Sequence, residues 1–167
     1  MLILSILCIV AGGHEFVVHE GVPFAQPAGK ALKATLYLPN DGSVQLRPGI
    51  VLIHGGGWMY GSRHLMKWYG RYFAANGYVA MAVDYRKLPR HPFPKCIEDV
   101  KAAVRWLRLN SATYRVDPER IAAFGASAGG HLAALLATTT PEDGLEGKEN
   151  RGAPSAIQAA VVLYAPL

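Results

Sequence analysis

Gly125-Ala126-Ser127-Ala128-Gly129 stands between an apolar run, Ile121-Ala122-Ala123-Phe124, and a helix-forming one, His131-Leu132-Ala133-Ala134-Leu135-Leu136-Ala137. A small-x-Ser-x-small turn that ends a buried strand and opens a helix is a nucleophile elbow. The tight bend leaves room only for small residues around the serine, with glycine two places to either side, and holds the hydroxyl clear of the sheet. The helix also aims the free backbone N–H groups of its first turn at that hydroxyl. Ser127 is therefore the candidate nucleophile. A plain glycine turn joining strand to helix is the competing reading, and a five-residue match alone does not displace it.

A second stretch shifts the balance. His54-Gly55-Gly56-Gly57-Trp58 also follows an apolar run, Ile50-Val51-Leu52-Ile53. An ester-cleaving serine needs N–H donors aimed where the carbonyl oxygen becomes negative, and losing one donor raises the barrier by about 3 to 4 kcal/mol. Consecutive glycines let a backbone come that close, and the same fold supplies one donor from this loop and another from the residue after the serine.

The rest of the chain fits strands alternating with helices. Strands are expected at Glu15 to Val18, Leu32 to Leu38, Ile50 to Ile53, Tyr78 to Val83, Ile121 to Phe124 and Ala159 to Tyr164, with a Pro- and Gly-rich connection between the first two. Leu65, Trp68, Tyr69, Tyr72 and Phe73 recur at helical spacing and read as a core-packing stripe, with Asn76-Gly77 as the stop. Ile97, Val100, Val104 and Leu107 mark the buried face of a helix from about Pro94 to Leu109, with its charges elsewhere. Asp117-Pro118-Glu119 reads as a cap and first turn, and residues 138–155 as an exposed polar loop. The pattern implies an α/β fold, a mostly parallel, doubly wound sheet of about six strands, with reactive groups at the carboxyl ends.

Composition narrows the function. A chain of 167 residues that is 51% hydrophobic buries one sizeable core. The net charge of +5 is scattered among apolar runs, with no basic stripe or zinc spacing, which argues against nucleic acid. Only Cys8 and Cys96 are present, so neither a disulfide framework nor a metal site is expected, and no cofactor is implied. Met1 to Val10 is apolar and about as long as a signal h-region, followed by small residues, but no Lys or Arg precedes it. Ten residues do not span a bilayer, which takes about 20. Residues 1–12 are read as a signal-peptide remnant ahead of a domain at 13–167, implying a secreted or periplasmic product. A buried first strand and a cytoplasmic protein are the alternative.

With these residues in view, the chain from about Phe16 to Leu167 resembles the α/β-hydrolase superfamily. His54 to Trp58 with Gly61-Ser62, Asp84-Tyr85-Arg86, Phe93-Pro94, Trp106-Leu107 and Gly125 to Leu132 resemble its esterase and lipase branch, which includes hormone-sensitive-lipase-like enzymes. The acetylxylan and feruloyl esterase-like BD-FAE group is most similar, because the lipase-like relatives usually carry an acid before the serine and Asn where His131 stands. Prolyl-oligopeptidase-like peptidases share the serine turn but usually lack the glycine loop. The resemblance implies ester hydrolysis through an acyl-enzyme on Ser127, with N–H groups of Gly56, Gly57 and Ala128 as the oxyanion hole. It also places Trp58 in the pocket wall, or alternatively in the packing that anchors the loop. A small-molecule or carbohydrate ester is the expected partner.

A base and an acid are still required, in the order Ser, Asp or Glu, His. After Ser127 the only histidine is His131, on the elbow helix, where packing is the better reading. Glu142, Asp143, Glu146 and Glu149 lie in a loop before the last strand, whereas the family's acid follows a later one. Neither triad partner is assigned, and the expected strands are fewer than the family sheet usually has. The expectation is the N-terminal portion of a longer esterase, inactive or nearly so by itself. A non-catalytic or decayed hydrolase-like product is the alternative, and a peptidase ranks below both.

Overall fold

The computed structural model describes residues 5–8 and 15–166. All six expected strands are present: β2 (Phe16–Ala25), β3 (Leu32–Pro39), β4 (Arg47–Ile53), β5 (Val79–Val83), β6 (Val116–Ala126) and β7 (Ala159–Leu163). A seventh, β1 (Ser5–Cys8), precedes them and pairs antiparallel with β2. It falls inside the stretch read as a leader remnant, whose small residues at 10–12 lie outside the described residues. The strand order is β1-β2-β3-β5-β4-β6-β7. β5, β4, β6 and β7 are mutually parallel, while β3 runs against β5 and β2 against β3.

Helices cover both faces, for the reason the strand sequences dictate. β4 and β5 are buried along nearly their whole length, so neither face tolerates water. Alternate residues Val51 and Ile53 meet α2 (Lys95–Leu109) and α4 (Ala128–Thr138) through Ile97, Val100, Val104, Leu107, Leu132 and Leu136. Ile50 and Leu52 face the other layer, where α1 (Lys67–Ala75) contributes Ala74 and Ala75 and Phe124 packs under Tyr69 and Phe73.

Four local expectations are corrected. β2 runs on through the Pro- and Gly-rich stretch to Ala25, because register shifts at His19/Val22 and Pro23/Ala25 absorb Gly21 and Pro23 without breaking the strand. Asp117-Pro118-Glu119 starts no helix. The Asp117 carboxylate accepts the Glu119 N–H, making a turn within the strand entry. The aromatic stripe is split: Tyr69 and Phe73 pack on the core, while Leu65, Trp68 and Tyr72 face solvent.

The fourth concerns α2 and the polar loop. Asp99, Lys101 and Arg105, expected among the outward charges, are buried to within about 2% of full enclosure. Their partners come from elsewhere in the chain. Arg86 binds Asp99, and the loop after α4 folds back so that Glu146 joins Lys101 at 2.6 Å and Arg105 at 2.5 Å. Ser155 donates its hydroxyl to the same carboxylate, and Asn150 donates to the carbonyls of Phe24 and Ala102. The loop is a strap through Glu146, while Glu142, Asp143, Lys148 and Arg151 stay exposed. Burial works against the Glu146 carboxylate, but hydrogen bonds from Lys101 and Ser155 and the two nearby cations hold it below the ordinary glutamate value.

Candidate active site

β6 ends and α4 begins at Ser127, whose backbone sits at φ 53°, ψ −124°. That region is sparsely populated for an L-residue and costs on the order of 1–3 kcal/mol, so it persists only where neighbours over-determine it. They do here: the Ser127 N–H donates to Leu163 O at 2.9 Å on β7, and its carbonyl accepts the His131 N–H at 3.0 Å. The first turn of α4 presses on the end of β4 so closely that a Cβ at Gly129 would overlap the carbonyl of Ile53. This is the physical reason for a glycine two places after the serine.

The glycine loop leaves β4 and lies directly against the elbow. A Cβ on Gly55 would stand 3.2 Å from Ser127 Cβ and 2.8 Å from Ala126 O. Any larger residue would push the loop off the serine. Among the described residues, none accepts a hydrogen bond from the N–H groups of Gly56, Gly57 or Ala128. Unspent donors beside a strained serine are what a developing oxyanion requires.

Side chains not singled out by role in the sequence hold this loop. His54 is fully buried, stacks on Tyr85 with ring centroids 4.3 Å apart, and donates Nδ1–H to Gly55 O at 2.7 Å. Burial disfavours its protonated form and pulls its pKa below the ordinary histidine value. The Tyr85 hydroxyl donates to His54 O at 2.9 Å, and burial pushes its pKa upward. Lys87 donates to Gly61 O at 2.6 Å, and the Leu88 N–H to Trp58 O at 2.9 Å. Arg63, just past the loop, is clamped by both oxygens of Asp84 and donates to Thr35 Oγ1. The stretch 84–88 leaving β5 thus anchors the glycine loop. Asp84-Tyr85-Arg86 carried that information only as part of a resemblance, since the spacing itself names no partner.

Trp58 stands between the core and the opening near the loop. It packs on the core and, at φ 57°, turns its ring edge-on to His131 at 5.4 Å. Both line a cleft of about 740 Å³ whose walls include Leu88, Phe93, Leu135 and Pro166. Ser127 is not one of the lining residues; it lies one turn before His131 on the same element. Among the described residues, His131 Nδ1 is buried without a hydrogen-bond partner, as is His54 Nε2. The loop acids are committed elsewhere: Glu146 to the strap, Glu149 to the Gln26 N–H, and Asp143 to the cap of the short helix Pro141–Asp143. The structure therefore sets Gly55 against Ser127, with Gly56 and Gly57 next along the loop and Ala128 next after the serine, and puts Trp58 and His131 on the wall of the cleft. None of the loop acids is brought to them.

Known proteins resemble this chain in sequence and fold. Esterase LipC of Mycobacterium tuberculosis is 36% identical over 119 residues, covering 70% of this chain and 29% of that protein. Arylacetamide deacetylase of Mus musculus is 35% identical over 132 residues, 74% of this chain and 32% of its own length. The thermophilic esterase Est2 of the Planctomycetes species Thermogutta terrifontis, in its butyrate-bound structure, superposes with a TM-score of 0.80 at 34% identity. That match covers 90% of this chain and 54% of Est2. The chain thus spans about a third of these curated relatives and about half of the solved one. The BD-FAE family model matches residues 35–167, which takes in both the glycine loop and the serine elbow. On that match and these relatives, the chain belongs to the BD-FAE family of α/β-hydrolase-fold esterases.

Proposed function

We propose that this chain carries the nucleophile and oxyanion half of a serine carboxylic-ester hydrolase acting on small-molecule or carbohydrate esters. Ser127 Oγ attacks the ester carbonyl carbon, and the N–H groups of Gly56, Gly57 and Ala128 receive the oxygen as it becomes negative. The alcohol leaves with a proton, an acyl group remains on Ser127, and water then releases the carboxylic acid. A histidine and its orienting acid take and return the proton. They are assigned to the part of the relatives' length that this chain does not cover, since the acids after Ser127 are bound elsewhere or exposed.

The observation that supports this reading is the approach of Gly55 to Ser127, where a Cβ on the glycine would stand 3.2 Å from Ser127 Cβ, together with the Ser127 backbone at φ 53°. Est2 is described as phosphorylated by paraoxon, so an organophosphate is an apt probe. With the full-length polypeptide, paraoxon is expected to modify the peptide containing Ser127 and to abolish turnover of p-nitrophenyl esters. Ser127→Ala is expected to lower kcat by roughly 10⁴-fold or more. The 167-residue chain alone is expected to turn over little or nothing. Undiminished turnover in the Ser127→Ala protein, or a phosphoryl adduct on another residue, would overturn the assignment.

A further inference from the structure

His54 and Tyr85 lie at the root of the glycine loop, and the hydrogen bonds they donate fall on its backbone carbonyls. His54 is fully buried and Tyr85 is 2% exposed. Both rings are enclosed by residues of this chain, so what stands against its surface in the full-length polypeptide lies outside them. The imidazole is stacked on the Tyr85 ring, with centroids 4.3 Å apart and planes within 13°. Its Nδ1 is 2.7 Å from Gly55 O, which can only accept, so Nδ1 carries the proton and the Nε2 lone pair is the one left buried. Gly61 closes over this bond: a Cβ there would stand 2.7 Å from both Nδ1 and Gly55 O. The Tyr85 hydroxyl donates to His54 O at 2.9 Å, and α4 presses on the same carbonyl, since a Cβ on Gly129 would stand 2.6 Å from it.

In a planar trans peptide the carbonyl and the next residue's N–H point to opposite sides. A bond that fixes Gly55 O therefore also fixes the direction of the Gly56 N–H. Three successive glycines carry no side chain to resist rotation of these planes, so the carbonyl bonds decide where the amides point. The following plane is held by the loop itself, through Gly56 O, which accepts the Met59 N–H at 3.1 Å and the Tyr60 N–H at 2.9 Å. The plane before it depends on a side chain. We infer that His54 is a positioning residue for the oxyanion hole: its Nδ1–H holds Gly55 O and so aims the Gly56 N–H, while Tyr85 holds His54. This rests on the reading of the Gly56 N–H as an oxyanion donor. His54 touches no reacting atom and takes no proton from Ser127. Burial that keeps its imidazole uncharged suits a fixed donor better than an acid–base group.

The test uses the full-length polypeptide and p-nitrophenyl butyrate. His54→Leu removes the donor, whereas His54→Asn keeps an amide N–H where Nδ1 stood. Both lose the stack on Tyr85, so any stability lost with the ring is common to them. His54→Leu is expected to lower kcat roughly 10²-fold with KM little changed, as loss of one oxyanion donor does, and His54→Asn to recover most of that loss. The ketone n-butyl trifluoromethyl ketone reads the same amide without turnover. Ser127 Oγ adds to its carbonyl carbon as the serine proton passes to the histidine base, and the hemiketal oxygen is left negative. Its inhibition constant is expected to rise in His54→Leu by the factor that kcat/KM falls. Tyr85→Phe keeps the ring and removes one hydroxyl; it is expected to lower kcat roughly tenfold. Should circular dichroism show the His54 variants unfolded, an unchanged kcat in Tyr85→Phe overturns the inference. With folded variants, equal kcat in His54→Leu and His54→Asn, a loss carried by KM alone, or an unchanged inhibition constant overturns it. Each of those results leaves the esterase reading standing if Ser127→Ala is inactive, whereas undiminished turnover in Ser127→Ala overturns both.

Discussion

The two ends of the β4–β6–β7 series are built differently. Where β4 meets β6, Val51, Leu52 and Ile53 are fully buried, glycines admit backbone to within touching distance, and Ser127 is held strained from both sides. At β7, which pairs only with β6 among the described strands, Val161 and Val162 are about 40% exposed and Tyr164 is 75% exposed. The cleft rim shares that openness through Leu88 and Phe93. The difference lies in where the contacts come from. Around Ser127 they are made by residues of this chain that meet at the sheet's centre and over-determine its backbone. At β7 and along the cleft rim, contacts within this chain leave the apolar side chains partly open.

The largest effect is expected at the closed end. Gly55→Ala puts a methyl against Ala126 O and Ser127 Cβ, and the loop must give way. A displacement approaching 1 Å costs roughly 10²-fold in rate. Steady-state kinetics of the full-length polypeptide should show the loss in kcat, with thermal unfolding little changed. An unaltered kcat would break the picture of a glycine held off Ser127 by nothing but its missing side chain.

A smaller effect is expected at the strap, which reads out in stability. Glu146→Gln leaves Lys101 and Arg105 buried without their counter-charge, a loss of about 3 kcal/mol in denaturant unfolding. The pH dependence has a definite sign. Glu146 is held below its ordinary value in the fold, so its contribution is complete above the unfolded value of about 4.3. It is lost as pH falls through the lower folded value. The wild-type protein should therefore lose stability in that acidic window, and Glu146→Gln should lack that component. Equal slopes in the two proteins would mean that the strap is held by its hydrogen bonds to backbone alone.

The smallest effect is expected at the open end. Val162→Lys on β7 should change folding stability by less than about 0.5 kcal/mol, as surface changes do. It should nonetheless lower aggregation of the 167-residue chain, measured by light scattering, because it charges an exposed apolar edge. A large loss of stability would show that β7 is packed more closely than its exposure indicates.

Much of the closed end was legible from residues alone, since its demands are local. A serine flanked by small residues after an apolar run, and three glycines after another, each state a backbone requirement that no partner is needed to interpret. The strap was not legible. Lys101 and Arg105 are ordinary helix-surface residues until Glu146, more than forty positions away, folds over them. The aromatic stripe misled for the same reason: its period marks a helix face, but Tyr69 and Phe73 pack on the core while Trp68 and Tyr72 stay exposed. The role of Asp84 also waited on Arg63, whose backbone and side chain both close on it.

What this sequence determined by itself was the strand and helix order and the paired elbow and glycine loop. Apolar runs, glycines and the isolated serine act within a few residues, where covalent geometry already limits the outcome. The tertiary structure alone decided which charges are buried, that β2 continues through Gly21 and Pro23, and how 84–88 grips the glycine loop. Those outcomes turn on which distant group arrives to repay desolvation or supply a hydrogen bond, and distance along the chain does not encode that arrival.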